Sequence, residues 1–136
     1  MQHVIDGFCC NCGKIAVSNE NRIKTSYCEK CYLKKISYSQ FKTISRWKEL
    51  KILFDQHSIC PYTGFKLVLG QNTSLDHILP KIKGGTNDIC NLQFVYSEDS
   101  FDVNFMKGTM SEDKFKMAVK IIYENLDLGD KDVARR

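Results

Sequence analysis

The sequence predicts an α+β protein. Apolar residues at helical spacing over 37–57 and again after Ser111 flank a central stretch of short apolar runs punctuated by turn signals. A polar, cysteine-rich segment precedes them. At 136 residues the chain fits one small domain with an appendage, and 43% apolar against 26% charged residues suits a folded chain.

The elements follow in order. Residues 1–36 read as loop-like, with Gly7 and Gly13 at turns. Over 37–57 a connecting helix is expected, capped by Ser37 or Ser39, with Phe41, Ile44, Leu50, Leu53 and Phe54 on its apolar side. CPYTG at 60–64 is a turn signal, and FKLVLG and SLDHILP read as short strands. NLQFVY alternates at Leu92, Phe94 and Tyr96, with Val95 breaking the pattern. SEDSFDVNFMKG reads as a short helix with Ser97 as N-cap and Gly108 at its end. In the last helix Phe115, Val119, Ile122 and Leu126 form a stripe expected to pack in the core. Residues 129–136 read as a tail.

Net charge is +4, unevenly spread. Residues 1–60 carry ten Lys/Arg against five Asp/Glu, and 61–136 carry ten against eleven. A basic first half suits a polyanion partner; a lysine-rich solvated surface gives the same count. No apolar run is long enough for a membrane span, and no basic stretch followed by an apolar one opens the chain. Seven cysteines then point to metal ligands or buried thiols in a reducing intracellular compartment, such as the cytoplasm of a bacterium or of a phage-infected cell.

Cys9–Cys12 and Cys28–Cys31 are two C-x2-C pairs fifteen residues apart, the spacing of two thiolate knuckles closing a structural zinc site. Cys10 is a spare for Cys9. A redox reading of either pair lacks the βαβ context it needs. Cys60 and Cys90, outside the pairs, read as buried thiols.

Asp76 and His77 adjoin, a basic glycine-rich loop follows, Asn91 comes fourteen residues after His77, Asn104 thirteen after Asn91, and Lys107 three further. SLDHILP, the loop KGGTNDICN, NLQFV and VNFMKG in this order resemble the HNH nuclease family, over about residues 58 to 125. The resemblance implies a ββα-metal core spanning 58–128. It implies Asp76 and Asn104 as ligands to one Mg²⁺ or Mn²⁺, His77 as general base, and Asn91 as the group orienting the imidazole. It also puts Lys107 near a phosphate. An oxygen donor set is hard, which favours those ions over Zn²⁺ or Ni²⁺. Many members carry two further C-x2-C pairs flanking the motif. Here Thr63 stands where the partner of Cys60 would be and the second pair is missing, so Tyr62, Phe65, Phe94 and Tyr96 are expected to hold that face by packing.

Lys42 and Arg46, with Lys81 and Lys83 of the loop, are the expected DNA contacts; Trp47 either joins them or is simply half-buried. The resulting expectation is a metal-dependent DNA endonuclease with a four-cysteine zinc segment. The alternative is a non-catalytic zinc-containing nucleic-acid-binding module on a degenerate HNH fold.

Overall fold

The computed structural model describes residues 28–126. Cys9, Cys10 and Cys12 and the tail 129–136 lie outside them. The order is α1 (Glu29–Phe41), α2 (Trp47–Gln56), β1 (Thr73–His77), β2 (Leu92–Glu98), β3 (Phe101–Asp102), α3 (Val103–Lys107) and α4 (Glu112–Leu126). The three strands form one antiparallel sheet in the order β1-β2-β3, which fits the α+β class.

The single helix expected over 37–57 is two helices, and the first begins within the segment read as loop-like. Lys42 ends α1 in the left-handed region at φ 62°, its N–H bonding to the Tyr38 carbonyl at 2.9 Å. Thr43 then builds a turn of its own: its hydroxyl accepts from Ser45 N–H at 3.2 Å, and its carbonyl accepts from the Ser37 hydroxyl. Short hydroxyl side chains that bond local backbone compete with helix continuation. Ser37 is therefore no cap. It is a buried residue of α1 that fastens the following turn.

FKLVLG does not form a strand. Its backbone makes one bridge, Ile59 to Lys66, and turns away because Asn72 Oδ1 takes Val68 N–H at 2.8 Å. Leu67 and Leu69 are nonetheless buried. Nor does a helix start at Ser97. β2 runs through Glu98, reverses into β3, and only then does Asp102 cap α3, its Oδ1 accepting from Phe105 N–H at 3.0 Å. An aromatic cluster holds this reversal, with ring centroids 4.9 Å apart for Phe65–Tyr96 and 5.4 Å for Tyr96–Phe101.

The register explains the break at Val95. Leu75 lies opposite Phe94 and His77 opposite Leu92, while Ser74 lies opposite Val95 and Asp76 opposite Gln93. Side chains alternate along a strand. One face of the β1–β2 pair is apolar and meets Phe54 of α2, edge to face with Phe94 at 5.5 Å. The other carries Ser74, Asp76, Gln93 and Val95 and meets α3. Val95 is buried because this second face is covered too.

The stripe on α4 differs from expectation. Phe115 is buried, edge to face with Tyr62 at 5.2 Å, but Val119, Ile122 and Leu126 are exposed. The helix is pinned at Phe115, and further along Val119 and Tyr123 line an open cleft with Tyr62, Phe101 and Met106. Cys90 is exposed, not buried, whereas Cys60 is buried.

Candidate functional site

β1 ends at His77, and the chain must return to β2 through residues 78–91. Asn91 closes that loop. Its Oδ1 accepts from Leu79 N–H at 2.9 Å, and its Nδ2 donates to the carbonyls of Thr86 at 2.8 Å and Leu79 at 3.1 Å. Gly85 lets the loop fold on itself, since a Cβ there would lie 1.7 Å from the Leu79 carbonyl oxygen. Asn91 thus organises the loop rather than touching the imidazole. The ring's partner is Asn87, with His77 Nε2 and Asn87 Oδ1 2.8 Å apart. With the proton on Nε2 the ring donates to Asn87 and leaves Nδ1 as the basic nitrogen. Asn87 is fixed in turn from the N-cap of α2: Arg46 Nη1 donates to its backbone carbonyl at 2.6 Å. Sequence reasoning missed Asn87; its signal was its place just past the glycine pair.

Asp76 points to the opposite face and is buried at 4% exposure. Gln93, directly across the sheet, donates to its Oδ2 at 2.9 Å. Lys107 Nζ lies 3.3 Å from the carboxylate and donates to the His77 carbonyl at 2.9 Å. Lys107 is 1% exposed. The residue expected at a phosphate is the buried counter-ion of Asp76. The α3 helix lies along β1 so that Lys107 meets Asp76, while Asn104, one turn earlier, donates to Ser74 Oγ at 3.0 Å.

Asp76, His77 and Asn104 therefore take separate partners. Asp76 and Asn104 do belong to the same strand–helix seam, and their oxygens are the hard donors that a magnesium or manganese ion takes. The donor chemistry fits such an ion, and Lys107 is the cation such an ion would have to share the carboxylate with. Asn104 also lines an open cleft of about 230 Å³ between α1 and the edge of β1 that has no partner strand among the described residues, together with Lys35 and Ser74. Among the described residues no three His, Cys, Asp or Glu side chains gather as a metal cluster.

The polar chain continues beyond Gln93, which also donates to the Tyr62 hydroxyl at 3.0 Å; that hydroxyl lies 3.5 Å from Glu112 of α4. Burial, opposed by the Gln93 bond and reinforced by the charges of Glu112 and Asp76, pushes the Tyr62 phenol up to about 12. At Cys60 burial pushes the thiol up. Donation from the Thr63 hydroxyl and from the backbone N–H groups of Tyr96, Thr63 and Tyr62 outweighs it and holds the thiol below its ordinary value.

Cys28 and Cys31 are both buried. Cys28 caps α1, its sulfur accepting from the Cys31 N–H at 3.5 Å. Lys42, Lys81 and Lys83 are exposed, the last two on a single 3-10 turn. Arg46 is half-buried between Glu49, at 2.5 Å, and Asn87.

No protein-family model, curated protein or solved structure matches the chain.

Two outcomes test this network. Lys107→Met leaves Asp76 buried without its counter-ion and is expected to lower unfolding free energy by about 3–5 kcal/mol. Adding Asp76→Leu to that variant should recover much of the loss. Urea unfolding of both singles and the double measures the coupling, and additive losses would show the pair to be unimportant. The Tyr62 phenol, raised above its ordinary value near 10, favours the fold fully below pH 10, and that contribution fades as pH climbs toward about 12. In a phenolate absorbance titration of the folded protein, Tyr62→Phe should remove a component near pH 12; an unaltered curve would refute the assignment.

Proposed function

We propose that the chain is a metal-dependent DNA endonuclease of the HNH type that hydrolyses phosphodiester bonds. The observation that carries this reading is the unit of β1, the loop stapled by Asn91, β2 and α3, with Asp76 and His77 at the end of the first strand and Asn104 on the helix across it.

In this proposal His77 takes the proton from the attacking water through Nδ1, while Nε2 stays on Asn87. Asn87 and Arg46 hold the ring's orientation, and Asn91 holds the loop that carries Asn87. Asp76 and Asn104 would hold the divalent cation, which when bound supplies positive charge for the scissile phosphate and the departing oxygen. Lys81 and Lys83, exposed beside this loop, are the proposed contacts to flanking phosphates. Cys28 and Cys31 supply half of a four-thiolate zinc set, and the proposed other half, Cys9 and Cys12, lies outside the described residues.

One observation favours the second reading, a non-catalytic nucleic-acid-binding module. Lys107 already neutralises Asp76, so the buried carboxylate has a cation without any metal. Among the described residues no helix is long and apolar enough to cross a membrane.

Supercoiled plasmid incubated with Mg²⁺ or Mn²⁺ should be nicked or linearised, and His77→Ala should lower the rate by at least about a hundredfold, the scale of a lost general base. Equal cutting by the variant would end the assignment of His77, and intact plasmid with every metal tried would favour the binding module. Metal analysis of purified protein should find about one zinc per chain. Zinc retained in full by Cys28→Ser/Cys31→Ser would overturn the thiolate reading.

A further inference from the structure

Trp47 is the chain's single tryptophan. Three ammonium groups converge on its ring, with Nζ to ring centroid 4.9 Å for Lys30, 5.8 Å for Lys34 and 5.9 Å for Lys48. Lys30 and Lys34 are one turn apart on α1, and Lys48 follows Trp47 on α2. Like charges at this spacing repel. The negative face of the indole attracts each of them, but it neutralises none.

Among the described residues, the acidic side chains of α1 and α2 are engaged elsewhere. Glu29 and Asp55 both bind Lys51, at 2.9 and 2.8 Å, and Glu49 binds Arg46. Over residues 29–56 seven basic side chains accompany three acidic ones. Among the described residues, none of the three lysines on Trp47 has a carboxylate within ion-pair distance. The arrangement concentrates positive charge on an aromatic base and, among the described residues, leaves it without an acidic partner.

We propose that Lys30, Lys34 and Lys48, mounted on Trp47, form a binding site for the phosphate backbone of a nucleic acid strand. The ring is the support and not a stacking surface for bases, because ammonium groups already occupy the space over it. The position argues for nucleic acid over other polyanions. Arg46 adjoins Trp47 in sequence and donates to the carbonyl of Asn87, whose side chain meets His77. The platform thereby begins one residue from the contact that fixes the loop carrying the imidazole's partner. The inference rests on the nucleic-acid part of the proposed function and not on its hydrolytic part.

The test uses full-length protein carrying His77→Ala, so that DNA stays intact, and labelled single-stranded and duplex oligonucleotides over a salt series. Lys30→Gln/Lys34→Gln/Lys48→Gln should flatten the slope of log affinity against log salt by about 2 to 3. Between about 50 and about 200 mM salt the parent should then lose roughly 40-fold more affinity than the variant. Lys114→Gln/Lys116→Gln/Lys120→Gln, removing equal charge from α4, should change the slope less. Trp47 reports directly: DNA should alter its emission and shield it from iodide in the parent, a readout that stands even if the triple variant fails to fold. An unchanged slope, emission indifferent to bound DNA, or poly-glutamate binding as tightly as DNA would overturn the proposal. A platform that behaves as expected in a protein that never cuts would refute hydrolysis alone, and a cutting protein with an unchanged slope would refute the platform alone.

Discussion

The contact on which this structure most depends is the buried ion pair between Asp76 of β1 and Lys107 of α3. Two charges taken from water need each other and further hydrogen bonds to be tolerated, and both conditions are met. The ammonium also reaches the His77 carbonyl, and the carboxylate also receives Gln93. The pair sets the position of α3, a five-residue helix too short to be stable alone. With Lys107 on Asp76, Asn104 must lie over Ser74, and Val103 enters the core. The same chain of bonds passes through Gln93 to Tyr62 and on to Glu112, so polar groups join the Phe115 contact in tying the start of α4 to the end of β1.

The two faces of the hairpin have different tasks because of this pair. The face toward α2 is filled by Leu75, Leu92 and Phe94 and gives burial energy without direction. The face toward α3 holds Ser74, Asp76 and Gln93 and gives direction, since each polar group accepts only certain partners. His77 belongs by alternation to the first face but is the last residue of β1, so its ring escapes the core and meets the loop. A strand one residue longer would carry the chain past the point where the loop folds back to it.

Much of the hairpin was legible because its signals are local. SLDHILP and NLQFVY carry strand periodicity, and the glycine pair marks the loop. What was not legible came from competition between groups distant in sequence. The break after Phe41 depends on Ser37 finding the Thr43 carbonyl, which periodicity cannot register. The reversal at Asp99 and Ser100 depends on Phe65, over thirty residues earlier, packing on Tyr96 and Phe101. The resemblance puts Lys107 near a phosphate, and only the register of α3 on β1 reveals it as interior. The role of Asn87 was hidden for a similar reason, because the resemblance gives the imidazole to Asn91. Both amides lie in one loop, and which one reaches the imidazole is decided by backbone closure at Gly85. On α4 the 4-3-4 spacing of Phe115, Val119, Ile122 and Leu126 identifies a helix, but periodicity alone does not say how far the body extends beneath it.

Arg46 connects two regions that would otherwise be independent. Its guanidinium sits 4.3 Å from the Phe41 ring centroid, pairs with Glu49 and donates to the Asn87 carbonyl. Held on three sides, it has little freedom to meet a phosphate, so its contribution to the proposed anion-binding face would be positional. It brings the first turn of α2, and with it Trp47, to a fixed place relative to the His77 loop. A positive surface raises the local concentration of a polyanion wherever it sits. It helps chemistry only where the bound strand is presented to a reacting group, and that requires a rigid connection between the two. The guanidinium–carbonyl bond is short, half-buried and made by a side chain with planar donors of fixed geometry, which gives the connection its rigidity.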